Sequence, residues 1–470
     1  MSRYSIVSLF SGAGGLDLGF VQTGKFKVVF ANDVLLPSAR TYSSNFKLKL
    51  ETCGKDKEVV EAAPNTVLAC DVSRIDFSGL RSAEVDLVVG GPPCQDFSIV
   101  RGPPWDRKGI EVKRGRLYSH FVRALVALQP KIFVFENVPG LVSANKGLAY
   151  KLILEDFSNL SIRWSDVKCE TSSFNNGVKV EGYELIFADV VDFSRLGVPQ
   201  RRERLVVVGL RKDLVKNLTE LWEFKGIIER ALSGKRWLFR KYPLTPIEVF
   251  EGKRLDELGE RYKEVMKKWD GVWEEVGTAH AYAWREKVWS KLTLDVIEDY
   301  LKANGLGSTD REELEEALTQ HEQVLRELGY YGIPVYSLEL PDGTTELPED
   351  NKAIIERMKR IPPDENHEFV RGTKWEVEGR GISLVYRRIH PLKPSYTIVA
   401  YGGGGTHGYH YDRDRATLTL RERARLQTFP DSFLFSGRRA EIRAQIGEAV
   451  PPLAAKRIAE ALAEILEQLG

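Results

Sequence analysis

The feature that most constrains the fold is an alternation of short apolar runs with helical stretches over residues 1–210. Alternating β and α segments predict an α/β domain with a parallel sheet and helices on both faces. Such sheets bind ligands at the carboxyl ends of their strands. The predicted strands are Tyr4–Phe10, Lys27–Asn32, Thr66–Asp71, Val85–Val89, Lys131–Phe135, Tyr183–Val190 and Arg204–Leu210, with helices at Arg116–Leu128 and Leu148–Phe157.

The remainder of the chain differs in composition and in hydrophobic pattern. Residues 211–385 are rich in charge and show long helical patterns at Arg254–Lys268 and Asp310–Leu328, which indicates an inserted, separately folded region. Compact patterning returns after Gly402–Gly405 and ends in an amphipathic helix over Leu453–Leu469. Two domains, or one large domain with an insertion, suit a chain of 470 residues. Most tryptophans of the inserted region are expected in its core: Trp222, Trp237, Trp269, Trp273, Trp284, Trp289 and Trp375.

Composition narrows the class of protein. With 43% hydrophobic and 29% charged residues, the chain is typical of soluble globular proteins. It contains no apolar run of about 18 residues and no signal peptide, so we expect a cytoplasmic protein without a membrane span. The net charge of +1 means that any nucleic-acid surface must be a local patch. The four cysteines have no metal-ligand spacing and are expected to be reduced thiols.

A glycine-rich turn follows the first predicted strand, in the sequence Phe10-Ser-Gly-Ala-Gly-Gly-Leu16. Glycines at the start of a helix allow the backbone to approach a ligand closely. Asp33 and Asp71 end the next two predicted strands, where they could contact ribose hydroxyls and an adenine amino group. Considered alone, the glycines are also consistent with a tight turn that binds no ligand. With both acids, a nucleoside-containing cofactor is favoured, although the spacing departs from the GxGxxG of dinucleotide sites.

Two further strand ends carry reactive groups. Cys94 follows Pro92-Pro93, which stiffen the turn and present the thiol, and Glu136 ends the Lys131–Phe135 strand. A thiolate is a good nucleophile, so the pair could perform covalent chemistry on a ring. The alternatives are a buried loop cysteine and a glutamate that caps a helix or pairs with an arginine.

Arginines are concentrated in two other segments. The run Gln200–Arg204 leads into a strand and suggests anion or base-edge contacts, although a solvated charged turn is the usual fate of such runs. The segment Thr419–Asp431 predicts a short helix with an arginine-rich face, ended by proline, which could be purely structural.

Taken together and in this order, the motifs resemble those of the cytosine-5 DNA methyltransferases. The similar segments are FSGAGGLDLGF, GGPPCQDFS, ENVPGL, QRRERL, LTLRERARLQTFPDSF and IGEAVPP, and they cover about two-thirds of the chain. The resemblance implies a Rossmann-like mixed sheet of the kind found in S-adenosylmethionine-dependent methyltransferases, with helices on both faces. It also implies a catalytic and cofactor-binding domain at 1–210, an inserted target-recognition domain at 211–385, and a return to the catalytic domain at 386–470.

The resemblance also implies site residues, which carry over by motif position. Cys94 would attack C6 of cytosine, Glu136 would hold N3 and the exocyclic amine, and Arg204 would contact O2, with Arg202 assisting. DNA contacts would come from Gln95, Ser98, Arg101 and Arg114. Glu448 departs from the asparagine that many family members carry there. S-adenosylmethionine would be bound by Phe10, Gly12, Ala13, Gly14, Gly15, Leu16, Asp33, Val34, Asp71, Val72, Pro93, Leu117, Glu448, Ala449 and Val450.

The implied reaction methylates C5 of a cytosine flipped out of a specific duplex DNA sequence. No metal is expected. A monomer acting on nucleoid DNA in the cytoplasm, with a cognate restriction endonuclease encoded nearby, is the expected setting. Three alternatives stay open: a tRNA cytosine-5 methylase, which the long insertion disfavours; an inactive DNA-binding relative, which the intact Cys94, Glu136 and Arg204 disfavour; and a nucleotide-dependent oxidoreductase, which leaves Cys94 without a role.

Overall fold

The structure is a computed structural model that describes residues 3–54, 59–93, 117–162, 180–307, 311–377, 385–401, 405–406 and 408–470. The chain divides into two compact units. Unit 1 comprises residues 1–193, 202–236 and 449–470, and unit 2 comprises residues 194–201 and 237–448. The boundaries between the two units therefore fall near residues 193, 201, 236 and 448.

Unit 1 is built on an eight-stranded sheet with a separate two-stranded pair. The sheet order is β3-β5-β2-β1-β7-β8-β10-β9, and β4 pairs with β6. The strands are β1 Tyr4–Leu9, β2 Phe26–Asp33, β3 Lys49–Thr52, β4 Val60–Glu61, β5 Thr66–Ala69, β6 Ile75–Asp76, β7 Leu87–Gly90, β8 Ile132–Asn137, β9 Tyr183–Asp192 and β10 Glu203–Arg211. All seven predicted strands are present, and the sequence prediction missed three short ones: the edge strand β3 and the two-residue strands β4 and β6.

The mixed sheet implied by the family resemblance is confirmed, whereas the parallel sheet predicted from the β–α alternation needs one correction. β10 runs antiparallel to both β8 and β9, so the sheet is mixed. Only a 3₁₀ turn, Phe193–Leu196, and a short loop join β9 to β10, and a connection this short cannot make the crossover that parallel strands need. The five other pairings in the large sheet are parallel.

Helices cover both faces of this sheet. Successive residues such as Ile6 and Val7 point to opposite faces, and both are fully buried. On one face the rings of Phe121, Phe133 and Phe157 pack with centroids 4.8 to 5.9 Å apart. The first helices are α1 Gly15–Gln22, α2 Leu36–Phe46, α3 Tyr118–Leu128, α4 Gly140–Ser143, α5 Leu148–Asn159 and α6 Leu218–Leu232.

Unit 2 is mainly helical and has a tryptophan-rich core around Trp269, Trp273 and Trp284, as predicted. Trp222 lies outside this core, on α6 of unit 1, and is 69% exposed. The described helices of unit 2 are α7 Pro246–Glu251, α8 Gly259–Lys267, α9 Val272–Val276, α10 Ala279–Lys287, α11 Val296–Ala303, α12 Arg311–Glu327, α13 Lys352–Met358, α14 Leu420–Leu426 and α15 Arg439–Glu448.

The arginines of α14 are structural. Arg421 is fully buried and pairs with Asp342 at 3.0 Å, and Arg425 is fully buried and pairs with Asp431 at 2.6 Å. Arg425 also lies over the ring of Tyr330. Because a buried guanidinium is costly unless it is paired, these contacts explain how the helix tolerates its arginines inside unit 2.

The last helix, α16 Pro452–Leu469, returns to unit 1 and packs against α1 and α6. Pro452 occupies its first turn, where the missing N–H of proline costs no helical hydrogen bond. The approach to α1 is very close, because a Cβ on Gly19 would lie 2.3 Å from the Pro452 carbonyl oxygen. No helix in the described part of the chain is long and apolar enough to cross a membrane.

The expectation of four reduced thiols is wrong for two of them. Cys53 and Cys70 form a disulfide, with their Cα atoms 5.3 Å apart. Cys53 follows β3 and Cys70 follows β5, and these neighbouring parallel strands end side by side at Thr52 and Ala69. Spacing along the sequence could not reveal this bond, because the sheet register is what brings the two cysteines together.

Candidate active site

Three loops of unit 1 meet at one edge of the sheet. In the sheet register, Leu9 of β1 lies opposite both Asn32 of β2 and Gly90 of β7, and Gly90 lies opposite Phe135 of β8. The glycine-rich turn, the turn leading to Cys94, and Glu136 therefore follow adjacent parallel strands. This is the edge at which α/β sheets bind their ligands, and it is where the sequence predicted the site.

The glycine-rich turn has an unusual backbone. Phe10 has φ +52°, Gly12 +55° and Gly14 +94°, all in the left-handed region. A positive φ is costly for Phe10, and such strain is concentrated at functional sites. α1 begins at Gly15 with Gly14 as its N-cap, so the free N–H groups of its first turn lie directly after this turn. Ala13, Gly15 and Leu16 are buried there.

Asp33 at the end of β2 is tied to this turn. One carboxylate oxygen accepts the N–H of Gly12 at 2.9 Å, and the other accepts the N–H of Leu35 at 2.8 Å. Burial raises the pKa of Asp33, and these two hydrogen bonds oppose that rise. The carboxylate retains lone pairs for further donors, such as a pair of ribose hydroxyls. The apolar side chain of Val34 beside it is 64% exposed.

Asp71 and Val72 follow β5. Asp71 caps a 3₁₀ turn, with one oxygen accepting from the Ser73 N–H at 2.9 Å and the Ser73 hydroxyl at 2.7 Å. The Asp71 side chain is exposed, whereas Val72 is buried in the core of unit 1. The carbonyl of Val72 accepts a hydrogen bond from the Arg123 guanidinium at 2.7 Å.

The residues at this edge suit a nucleoside bearing polar groups. A Cβ on Gly12 would meet nothing within 4 Å, so there is open space in front of the turn. The Ser11 hydroxyl is buried and has no hydrogen-bond partner among the described residues. An acceptor at Asp33, an unpartnered hydroxyl and an exposed apolar Val34 together offer contacts for ribose and for an aromatic base.

The turn that leads to Cys94 lies against Glu136. A Cβ on Gly91 would lie 2.9 Å from Glu136 Oε2, so only glycine leaves room for the carboxylate. The side-chain amide of Asn137 donates to the Pro92 carbonyl at 3.2 Å and fixes the turn to β8. Sequence reasoning missed Asn137, although it stands in the ENV motif. Pro93 is exposed next to this anchored turn.

Glu136 forms an ion pair across the strands with Arg204 of β10. Arg204 Nε lies 3.0 Å from Glu136 Oε1, and each side chain is 13% exposed. Burial raises the pKa of Glu136, while Arg204 and then Arg202 oppose the rise. A raised pKa favours the protonated carboxyl group, which can donate a hydrogen bond to a ring nitrogen.

Arg202 joins the strand to the C-terminal segment. It is 1% exposed, and its Nη2 donates to the Ala449 carbonyl at 2.9 Å. Val450, beside Ala449, is buried. Arg202 thus links the acid Glu136 electrostatically to the segment that precedes α16.

The remaining predicted site residues are placed as follows. Leu117 precedes α3 and packs against the core of unit 1. Glu448 ends α15 and belongs to unit 2, where it is exposed. Cys94, Gln95, Ser98, Arg101 and Arg114 lie outside the described residues.

Comparison with known proteins identifies the family. The C-5 cytosine-specific DNA methylase model matches residues 4–464. The chain belongs to this family. It is therefore a DNA (cytosine-5-)-methyltransferase, and membership implies S-adenosylmethionine as its cofactor, which suits the donors and acceptors found around Asp33 and the glycine-rich turn.

Curated relatives match along almost the whole chain. The DNA (cytosine-5-)-methyltransferase M.ApeKI of Aeropyrum pernix is 72% identical over 99% of this chain and 100% of its own length. The type II methyltransferase M.NgoFVII of Neisseria gonorrhoeae is 30% identical over 99% of this chain and 87% of its own. The type II methyltransferase M.BbvI of Brevibacillus brevis is 30% identical over 97% of this chain and 89% of its own.

A solved structure shares the fold. The crystal structure described as a DNA modification methyltransferase encoded within an E. coli prophage aligns with a TM-score of 0.53 at 19% identity. It covers 99% of this chain and 100% of its own. The fold class predicted from the sequence, a Rossmann-like methyltransferase sheet with helices, is confirmed.

Proposed function

We propose that the enzyme methylates C5 of a cytosine flipped out of a specific duplex DNA sequence, through a covalent bond between Cys94 and C6. The observation that carries this proposal is the buried Glu136–Arg204 pair beside the Gly91–Pro93 turn. The turn leads directly to Cys94. A carboxyl group whose pKa is raised by burial therefore lies against Gly91, in the turn that precedes Cys94 in the sequence.

S-adenosylmethionine, when bound, supplies an electrophilic methyl group on its sulfonium. We assign its nucleoside part to the glycine-rich turn, Asp33, Val34 and Asp71, and its methionine part to Leu117 and the 448–450 segment. Asp33 keeps acceptor capacity after binding Gly12 and Leu35. Asp71 is exposed at the end of the neighbouring strand.

The residues of the chain prepare the cytosine for methyl transfer. C5 is a poor nucleophile until the Cys94 thiolate adds to C6, which breaks aromaticity and places electron density on C5. Glu136 hydrogen-bonds N3 and the exocyclic amine and stabilises the adduct, while Arg204 contacts O2 and orients Glu136. C5 then takes the methyl group, leaving S-adenosylhomocysteine. A base removes the C5 proton, and the bond between C6 and sulfur breaks to restore the ring.

The target base must leave its duplex for this to happen, at a cost of a few kcal/mol. We assign contacts with the flipped base and its phosphates to the segment 95–117, through Gln95, Ser98, Arg101 and Arg114. Base-specific recognition is assigned to the inserted domain at 211–385. Most of its tryptophans pack inside unit 2. We therefore assign recognition of the DNA bases to polar side chains of this domain.

The biological role proposed is that of a type II modification methyltransferase acting on nucleoid DNA as a monomer, with a cognate endonuclease encoded nearby. The type II relatives that match almost the whole chain support this role. Protection of host DNA requires methylation of one defined sequence. Bisulfite sequencing of DNA from a host expressing the enzyme would show that sequence.

Trapping of the covalent adduct tests the mechanism. A duplex with 5-fluorocytosine at the target position cannot lose its C5 substituent, so wild-type enzyme with S-adenosylmethionine should form a complex that survives denaturing electrophoresis. Cys94→Ser should form none, and Glu136→Gln should form it at least 100-fold more slowly. A normal methylation rate in Cys94→Ser would refute the proposal. Transfer to tRNA in preference to duplex DNA would instead support an RNA methylase.

A further inference from the structure

The glycine-rich turn rests on a pair of stacked aromatic rings. The rings of Tyr42 and Phe46 on α2 lie 4.2 Å apart with an interplanar angle of 20°. A Cβ on Gly14 would lie 2.5 Å from Phe46 Cε2 and 2.9 Å from Tyr42 Cδ2 and Cε2. The backbone of Gly14 therefore packs directly on these rings, and the position of Tyr42 determines where Gly14 can lie.

The hydroxyl group of Tyr42 points into a buried polar cluster. Tyr42 is fully buried, and its hydroxyl interacts with Asp17 of α1 and Ser8 of β1. Asp17 is also fully buried and accepts a hydrogen bond from the Ser8 hydroxyl at 2.8 Å. Neither the other Asp17 oxygen nor the Tyr42 hydroxyl forms a hydrogen bond with a described residue, so these neighbouring buried groups interact electrostatically. Burial raises the pKa of Asp17 to about 7.

Two buried polar groups without hydrogen-bond partners are costly to keep inside a protein. The cluster connects β1, α1 and α2, the three elements that border the glycine-rich turn. The chain retains an acid and a hydroxyl there, where apolar side chains of the same size would also fill the space. A role in holding the ring of Tyr42 in one place explains their presence.

We propose that Ser8, Asp17 and Tyr42 are positioning residues for S-adenosylmethionine, which act by fixing the ring on which Gly14 rests. Gly14 is the N-cap of α1, so its position sets the direction of the N–H groups that follow. A displaced ring lets the turn adopt other conformations, and binding must then select the competent one, which weakens the apparent affinity. The inference rests on the proposed assignment of the cofactor to this turn.

The test measures cofactor affinity by isothermal titration calorimetry of the full-length enzyme with S-adenosylmethionine. Tyr42→Phe keeps the ring and removes the hydroxyl, and Asp17→Leu keeps the approximate volume and removes the acid. Both should raise the dissociation constant at least fivefold, with kcat at saturating cofactor within twofold of wild type. Asp17→Asn should stay within twofold in affinity, because its amide can accept from Ser8 and donate to Tyr42.

Tyr183→Phe is the matched control. The Tyr183 hydroxyl is buried and donates to the Pro130 carbonyl at 2.9 Å, at the opposite end of the sheet. Its removal should lower stability without changing cofactor affinity. Equal dissociation constants for Tyr42→Phe, Tyr183→Phe and wild type would overturn the inference. Failure of the wild-type enzyme to bind S-adenosylmethionine would instead overturn the proposed function, so the two failures are distinguishable.

Discussion

Arg204 Nε lies 3.0 Å from Glu136 Oε1, and this pair connects two strands that run in opposite directions. The antiparallel placement of β10 brings the start of that strand beside the end of β8, where Glu136 stands. Burial and the guanidinium act on the pKa of Glu136 in opposite directions, and burial is the larger effect. The pair thus keeps the carboxyl group oriented while its pKa stays above the ordinary value.

Replacement of Arg204 by methionine should therefore affect both rate and pH dependence. We expect kcat to fall at least 10-fold, because Glu136 loses its orienting partner. The inflection of the pH–rate profile that belongs to Glu136 should move to higher pH, since burial is then opposed only by Arg202. Arg211→Met, at the other end of β10 and paired with Asp213 at 2.8 Å, is the matched control and should leave both quantities unchanged.

Asn137 offers a second test, since its amide anchors the Pro92 carbonyl. Asn137→Ala should lower kcat about 10-fold, because the turn that presents Cys94 loses its attachment to β8, and should leave the KM for S-adenosylmethionine within twofold. Steady-state kinetics on a substrate duplex measure both. Asn304→Ala removes the hydrogen bonds that the Asn304 side-chain amide donates to the carbonyls of Tyr300 and Leu392 in unit 2. It therefore reports the cost of such a loss outside the site. Equal kcat values in the two variants would contradict the anchoring role.

Much of unit 1 could be predicted from the sequence, because its strands are buried on both faces and read as continuous apolar runs. β3 was missed since Lys49–Thr52 is a short edge strand with polar residues. The expectation that ligands bind at the carboxyl ends of the strands located the glycine-rich turn after β1, Asp33 at the end of β2 and Glu136 near the end of β8.

Contacts between distant segments could not be predicted in this way. Asn137 is 45 residues from Pro92, and Arg202 is 247 residues from Ala449. Nothing in the local sequence specifies such pairings, which depend on the order of strands in the sheet and on the return of the C-terminal segment. The ion pair of Arg421 with Asp342, 79 residues away, is another such contact, because an arginine-rich helix pattern does not show which face is covered.

The contact between α1 and α16 predicts the effect of one added methyl group. In Gly19→Ala the new Cβ would meet the Pro452 oxygen at 2.3 Å and the Ala455 Cβ at 2.5 Å, so backbone must move. We expect a loss of about 1–3 kcal/mol in the free energy of unfolding, measured with denaturant. Gly226→Ala in α6 meets only the end of the Arg230 side chain and should be neutral or stabilising by up to about 1 kcal/mol. Similar effects of both changes would argue against close packing here.

Asp17 predicts a pH dependence of stability. Its pKa is raised from 3.8 to about 7 in the folded protein. Between these values the unfolded chain releases the proton that the folded protein retains, so the free energy of unfolding falls as pH rises and levels off above about pH 7. The contribution is about 4 kcal/mol at most. Asp17→Asn has no titrating group at this position, so its free energy of unfolding relative to that of the wild type should rise between pH 4 and 8. Parallel pH curves for the two proteins would show that Asp17 does not titrate in this range.

The Cys53–Cys70 disulfide closes a loop with a sequence separation of 17 and joins β3 to β5 just before Asp71. A loop of this size should contribute about 3 kcal/mol, mainly by restricting the unfolded chain. Dithiothreitol should therefore lower the denaturant midpoint of the wild-type enzyme, and Cys53→Ser should show the lower midpoint without reductant. Cys169→Ser, which leaves both bonded cysteines in place, should retain the full response to dithiothreitol. Four free thiols in the denatured, unreduced wild-type protein would show that the bond does not form.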